Sequence, residues 1–275
     1  MIRSYLEVHT PRLMLVLDPL KVTIENLSED YVTMVERPSH PKNPEMGTTS
    51  VPFTRTVYID RSDFREQDSA DYFRLAPGKS VGLLYTEHPI QCTSFRKDNA
   101  GRVVEVFAKY ENEGPPFKPK AFIQWVAEHK PSGSPVIVDE ARMFNPLFLS
   151  ENPGNSDNWV EELNPDSLQV ARNAMIEVGF WDVATQGLAN AKKEAESRKA
   201  NPKHEISAES PTIKNSELVG FECVRFQGLR VAYFCVDKDS NITSVKEGGD
   251  QVMHSQGDRI ILNTIVSLKE DTGKK

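Results

Sequence analysis

Cysteine is scarce in this chain, and its scarcity excludes two classes of protein. The 275 residues contain only three cysteines, Cys92, Cys223 and Cys235, and no two of them have the close spacing of a structural zinc site. Three thiols also cannot form the disulfide framework of a secreted domain. We therefore expect reduced, mostly buried thiols and no metal site.

Long hydrophobic runs are also missing. No stretch approaches the roughly 20 apolar residues that a membrane-spanning helix needs. The first residues, MIRSYLEVHTPR, have neither the apolar segment nor the small-residue cleavage site of a secretory signal. These absences predict a cytoplasmic protein without a membrane partner.

The chain also lacks an excess of positive charge. The chain has 33 basic and 40 acidic residues, which give a net charge of -7. Non-specific binding of nucleic acid requires a basic face, so this balance argues against a protein that coats RNA or DNA. It leaves open a protein that recognises a nucleic acid with a few placed arginines.

Motifs for catalysis or phosphate binding are incomplete. The segment APGKS resembles the end of a phosphate-binding loop, but Phe73 occupies the position of its first glycine. DKDSNITSVKEG resembles a calcium loop, but Ile242 and Gly248 replace the required glycine and glutamate. The sequence therefore predicts no catalytic residue and no metal ligand, and it favours a binding module over an enzyme.

The clearest positive signal is the alternation of apolar and polar residues. In LKVTIEN, Leu20, Val22 and Ile24 alternate with polar side chains, which is the period of a half-buried strand. Similar runs recur along the chain between turn segments such as LAPGKS, NEGPPFKPK and HKPSGSP. Many short strands separated by such turns are typical of an all-β sandwich or barrel.

One long segment, residues 182–217, departs from this pattern. Its first half favours a helix with a thin apolar stripe formed by Val183, Leu188, Ala191 and Ala195. Its second half is polar and poor in large apolar residues. We expect a surface insertion that is helical at first and disordered afterwards.

Seven blocks of sequence occur in a distinctive order: PRLMLVLDPLKVTIENL, HPKNPEMGTTSVPFTRTVYIDRSDFRE, YFRLAPGKSVGL, FIQWV, LFLSENPG, LNPDSL and FQGLRVAYFCVDKDS. This order closely resembles the C-terminal anticodon-binding region of glutaminyl-tRNA synthetases of eukaryotic, including fungal, type. The resemblance covers residues 3–270 apart from the insertion. It implies two β-barrels similar to that of a ribosomal protein: a proximal barrel from residues 12–66 and 147–270, and a distal barrel from residues 67–146.

The resemblance also implies the partners of the chain. These are the anticodon stem-loop of tRNA(Gln) and the catalytic domain of the same synthetase, with the chain acting as a monomer. The His-x-Gly-His and Lys-Met-Ser-Lys-Ser motifs of that catalytic domain do not occur here. We therefore expect ATP and magnesium to belong to the parent enzyme, no cofactor in this chain, and no charging of tRNA by it alone.

Four residues match the anticodon-binding residues of the family. Arg12 in PRLM, with Gln227 and Arg230 in FQGLR, matches the group that binds the middle base, U. Uracil presents acceptors beside one N–H donor, which a glutamine amide and arginine donors can match. Arg74 in YFRL matches the arginine for the third base, G, whose O6 and N7 both accept hydrogen bonds.

Two neighbouring features have a different expected role. Where bacterial members of the family have Arg-x-Arg for the first base, this chain has Gly82-Leu83-Leu84, so that base must be bound differently. In RTVYIDRSDFRE, Val57 and Ile59 are expected to fill a barrel core. The charged residues of segment 60–66 are expected to form an interlocked turn or helix cap rather than RNA contacts.

Two alternative functions remain open at the level of the sequence. The first is the anticodon-binding part of a eukaryotic-type glutamate–tRNA ligase, which shares the two barrels. The second is a β-barrel interaction module that does not bind RNA, which the acidic charge, the missing Arg-x-Arg and the long insertion support.

Overall fold

The computed structural model describes residues 2–113, 118–155, 158–200, 220–243 and 257–268, and this part of the chain is mostly β. Its helices are α1 (Ile2–His9) and α2 (Phe180–Ala200). Its strands are β1 (Arg12–Leu13), β2 (Leu15–Val16), β3 (Pro19–Ile24), β4 (Val32–Pro38), β5 (Thr48–Thr54), β6 (Thr56–Asp60), β7 (Ser80–Leu83), β8 (Ile90–Lys97), β9 (Val103–Tyr110), β10 (Phe122–Ile123), β11 (Trp125–Ala127), β12 (Val136–Phe144), β13 (Leu168–Ile176), β14 (Arg225–Gly228), β15 (Ala232–Val236) and β16 (Ile261–Ser267). Short 3-10 turns lie at Pro44–Met46, Arg61–Asp63, Lys130–Ser132, Pro153–Asn155, Trp159–Glu162 and Phe221–Cys223.

Seven strands form the first barrel, hydrogen-bonded in the order β1-β14-β15-β16-β12-β13-β2. Its two end strands, β1 and β2, are separated in sequence by Met14 alone, so the sheet nearly closes on itself. Its core contains the buried rings of Phe226 and Phe234, and Phe180 at the start of α2 packs against them. The helix that contains the first half of the predicted insertion therefore begins inside the protein core, two residues before that insertion.

Seven other strands form the second barrel, in the order β10-β7-β8-β9-β3-β6-β11. Here the end strands β10 and β11 are separated in sequence by Gln124 alone. The predicted inward face of β3, formed by Leu20, Val22 and Ile24, is confirmed, because all three are fully buried in this core. Val57 and Ile59 lie in the same core, as the sequence predicts.

The two barrels meet where their closing segments lie side by side. Met14 lies between β1 and β2 of the first barrel, but its side chain packs in the core of the second. The backbone N–H of Leu15 donates a hydrogen bond to Oε1 of the buried Gln124, at 3.1 Å. Leu229, in the turn after β14, also packs in the second core. The barrels therefore share a buried junction.

Strand pairing divides the chain differently from the division expected from the sequence. Residues 12–66 were expected in one barrel, but β3 and β6 pair with β9 and β11 of the second. Residues 67–146 were expected in the other barrel, but β12 pairs with β13 and β16 of the first. Each of these pairings joins segments far apart in sequence, so local alternation carries no information about them.

A separate hairpin formed by β4 and β5 joins the two barrels. Val35, Val51 and Phe53 on its apolar side pack in the core of the second barrel. Arg37 on the same hairpin forms an ion pair with Glu177, which follows β13 of the first barrel, and both side chains are almost completely buried. Burial lowers the pKa of Arg37 to about 10, so its guanidinium stays charged at neutral pH.

Helix α2 confirms the helical half of the predicted insertion, although its main buried face is different. Phe180, Trp181 and Ala184 are its most buried residues. Ala191 of the predicted stripe is buried as expected, whereas Val183 and Leu188 are only partly buried. The predicted disordered half, residues 201–217, lies outside the described part of the chain.

Three expectations from composition can be compared with the described residues. Cys92 is buried, and Cys223 and Cys235 are partly buried. Within the described ranges, no group of three or more His, Cys, Asp or Glu side chains has a geometry that suits a metal ion. Neither α1 nor α2 combines the length and the apolar character needed to cross a membrane, and the described segments contain no other candidate span.

Candidate functional site

Arg12 and Gln227 are direct neighbours in the first barrel. Strands β1 and β14 run parallel with Arg12 opposite Gln227 and Leu13 opposite Gly228. The backbone N–H of Gln227 donates to the carbonyl of Pro11 at 2.8 Å, and that of Leu229 donates to the carbonyl of Leu13 at 2.9 Å. The fold thus brings together two of the predicted site residues from opposite ends of the chain.

The side chains of this pair have polar groups without hydrogen-bond partners in the described part of the chain. Alternation along β14 turns Phe226 into the core and places Gln227, which is 7% exposed, on the opposite face. Nε of Arg12 is shielded from solvent. Neither the Arg12 guanidinium nor the Gln227 amide donates or accepts a hydrogen bond within the described residues. Unpaired polar groups at such a position are suited to a polar ligand.

Arg230 lies in the turn that follows Gln227 and connects the first barrel to the second. Its backbone has φ of 59°, in the left-handed region, and the turn is closed by a hydrogen bond from Val231 to Gly228. Its Nη1 donates to the carbonyl of Phe122 in β10, at 3.0 Å. Its Nη2 lies 3.7 Å from Oδ1 of Asp63.

Asp63 links Arg230 to Arg74. The carboxylate is 3% exposed, and its Oδ1 accepts a hydrogen bond from Nη1 of Arg74 at 2.8 Å. Burial raises the pKa of Asp63 above its ordinary value, while the charges of Arg230 and Arg74 oppose that rise. One buried carboxylate therefore orients two guanidinium groups that each stay about one third exposed. A guanidinium has five N–H donors, so each group keeps donors beyond those that these contacts use.

The segment Gly82-Leu83-Leu84, which replaces the Arg-x-Arg of bacterial family members, contributes no polar side chain. Gly82 donates its backbone N–H to Ala121, and Leu84 packs against the second core. The ring of Phe122 lies against the backbone of Gly82. The indole of Trp125 donates to the carbonyl of Leu84 at 2.9 Å, which fixes this edge of the barrel.

The charged turn after β6 matches its prediction in one part and departs from it in another. Asp60 caps the 3-10 turn, accepting hydrogen bonds from the backbone and hydroxyl of Ser62 at 3.0 and 2.6 Å. Arg61 pairs with Asp18, and Arg65 stacks over the ring of Tyr72. Asp63 was expected to belong to the same structural turn, but it contacts two predicted site residues.

Asp63 and Phe122 are the residues that the sequence-based prediction missed. An aspartate among arginines is typical of a surface ion pair, so only its burial distinguishes Asp63. Phe122 lies in a strand of two residues, too short for an alternation signal. Both contact Arg230, which makes Arg230 the centre of the site.

Two nearly closed β-barrels, with arginine and glutamine side chains near their junction, define a double β-barrel domain. Two models of one family match the chain over residues 10–111 and 122–187, and both are described as tRNA synthetases class I (E and Q), anti-codon binding domain. The chain belongs to this family of anticodon-binding domains.

The chain is also similar to several curated proteins over nearly its whole length. It is 43% identical to a glutamine–tRNA ligase of Hypocrea virens and 38% identical to the glutamine–tRNA ligase of Saccharomyces cerevisiae. It is 36% identical to the cytoplasmic glutamine–tRNA ligase of Arabidopsis thaliana. Each comparison covers 99% of this chain but only 36%, 31% and 28% of the respective relative. The chain thus spans about a third of the length of these relatives.

Proposed function

We propose that this chain binds the anticodon stem-loop of tRNA(Gln), as the anticodon-binding part of a glutamine–tRNA ligase. The observation that carries the proposal is the register of β1 and β14, which sets Arg12 beside Gln227. A glutamine amide has a donor and an acceptor, and a guanidinium has donors only. Together they complement the acceptors and the single N–H of a flipped-out uracil, the middle base of glutamine anticodons.

Arg74 has the chemistry to bind the third base, G. A guanidinium can donate to O6 and N7 of guanine at once, and one such pair contributes about 1–3 kcal/mol of discrimination. Asp63 and the carbonyl of Ser62 accept from Nη1 of Arg74, and its Nε and Nη2 donate no hydrogen bond within the described residues. Arg230 pairs with the same carboxylate, so the groups for the middle and third bases are held as one unit.

In this proposal the chain works with the catalytic part of the same synthetase. ATP and magnesium belong to that part, and this chain supplies specificity without a cofactor of its own. We propose a monomer that functions in the cytoplasm, in line with the name of the Arabidopsis relative.

The direct test is binding of stem-loop RNAs to the unmodified chain. We expect the tRNA(Gln) stem-loop to bind more tightly than one with C as the middle base, by about 5- to 150-fold. Binding should weaken with salt, with log K falling by about 0.7 per contacted phosphate for each decade. Stronger binding of the tRNA(Glu) stem-loop would favour a glutamate–tRNA ligase, and no binding at low salt would favour an interaction module without RNA.

Replacing Asp63 by asparagine tests how Arg74 is positioned. Asparagine keeps the shape but removes the charge, so Arg74 and Arg230 lose the group that orients them. We expect the preference for G over A at the third position to fall by about 1–2 kcal/mol, because a hydrogen bond to a charged partner becomes a neutral one. Calorimetry with the two stem-loops measures this difference.

A matched control for that variant is Asp18→Asn. Asp18 also pairs with two arginines, Arg61 at 3.0 Å and Arg102 at 3.1 Å, but its side chain is 51% exposed and neither of these arginines is a predicted site residue. We expect this control to keep the preference for G. An equal effect of both variants would show that net charge, and not the position of Asp63, determines the preference.

A further inference from the structure

A cavity of about 330 Å³ lies at the edge of the second barrel, beside the site described above. Gly82, His88, Lys118 and Phe122 are among the residues that line it. The Phe122 ring is 38% exposed, although it lies in a strand at a barrel edge. The cavity thus combines an accessible aromatic ring with two side chains of opposite charge, Lys118 and Glu87.

The ring of Phe122 occupies the space that a side chain at position 82 would need. A Cβ atom added to Gly82 would lie 2.4 Å from Cδ1 and 2.5 Å from Cε1 of this ring. An arginine at position 82 is therefore incompatible with Phe122 in its present place. The absence of a side chain at position 82 is therefore what allows the aromatic ring of Phe122 to pack there.

Phe122 is joined directly to the group proposed for the middle base. Its carbonyl accepts the hydrogen bond from Nη1 of Arg230 at 3.0 Å, while its ring faces the cavity. The other nitrogen of the same guanidinium, Nη2, lies 3.7 Å from Oδ1 of Asp63, and this oxygen also accepts from Nη1 of Arg74. Arg230 thus lies between Arg74, assigned to the third base, and Phe122. Because Arg74 is assigned to the third base and Arg230 to the middle base, this order places the first base next to Phe122.

We propose that Phe122 is the stacking platform for the first anticodon base, a pyrimidine, with Lys118 neutralising the adjacent phosphate. This inference rests on the function proposed above. Glutamine anticodons carry C or U at this position, so the site must accept both. Stacking on an aromatic ring tolerates any base, because every base has a π face, whereas hydrogen bonds from paired arginines would distinguish C from U.

The test compares RNAs that have C, U or no base at the first position. Phe122→Ala is expected to weaken binding of the C and U stem-loops by about 5- to 150-fold each, and to leave binding of the abasic stem-loop unchanged. Phe122→Tyr should restore binding, because it restores the ring. Phe144→Ala, which removes another exposed ring from β12, is the control and should bind as the unmodified chain does.

Three results would contradict the proposal that Phe122 stacks on the first base. These are an equal loss on the abasic stem-loop, a loss for only one of the two pyrimidines, and no loss at all. Failure of the proposed function has a different signature, because the unmodified chain would then show no preference for U at the middle position. A further variant, Gly82→Ala, displaces the ring without removing it and is expected to weaken the same two RNAs.

Discussion

Replacing Arg37 by alanine is expected to lower the free energy of unfolding by about 3–5 kcal/mol. Arg37 and Glu177 are 1% and 2% exposed, and each is the ionic partner of the other. Removing the arginine leaves a buried carboxylate without its counter-charge, and restoring its hydration would require opening the contact between the hairpin and the first barrel. The loss should appear as a lower urea midpoint with an unchanged slope.

Two other variants identify the cause of that loss. Lys42→Ala breaks an exposed ion pair with Glu7, whose side chains are 75% and 47% exposed, and should change stability little. Joint replacement of Arg37 and Glu177 by methionine removes both charges and should restore much of the stability. A loss for Arg37→Ala as small as that for Lys42→Ala would contradict the structural role of this pair.

Replacing Gln227 by leucine and Arg230 by glycine together is expected to weaken binding of the tRNA(Gln) stem-loop by about 2–4 kcal/mol. Leucine is close to glutamine in volume, so it fills the nearly buried position of Gln227 but offers no hydrogen bond. Glycine accepts the left-handed φ of Arg230 without strain. The fold should therefore persist while the partners of the middle base are lost.

Calorimetry with the tRNA(Gln) stem-loop and an unrelated stem-loop measures this effect. The double variant should bind the two RNAs with similar, weak affinity, because contacts to the phosphates remain. Gln169→Leu with Arg172→Ala makes comparable changes on the exposed part of β13 and should keep the preference. Equal weakening of both RNAs by the Gln227 and Arg230 variant would mean that these residues do not distinguish bases.

Local patterns predict the strands well but not their partners. The alternation in β3 correctly identifies Leu20, Val22 and Ile24 as buried, because strand geometry alone fixes which side chains share a face. It does not reveal that β3 pairs with β6 and β9 of the second barrel. That pairing depends on how distant segments fill a common core, which is a property of the whole chain.

The candidate site shows the same limit. Resemblance to the family identifies Arg12, Gln227, Arg230 and Arg74, whereas neither alternation nor spacing would place them together. Arg12 and Gln227 are neighbours because β1 pairs in parallel with β14. Asp63 has a local signal for a turn, and only its burial next to two guanidinium groups reveals its second role.

The most direct measurement is a double-mutant cycle that combines Gln227→Leu with a change of the middle base from U to C. If the amide contacts that base, the two changes should not be additive: each alone weakens binding about 5- to 150-fold, and the second adds little to the first. Independent effects, whose fold-changes multiply in the combined pair, would mean that the middle base binds elsewhere.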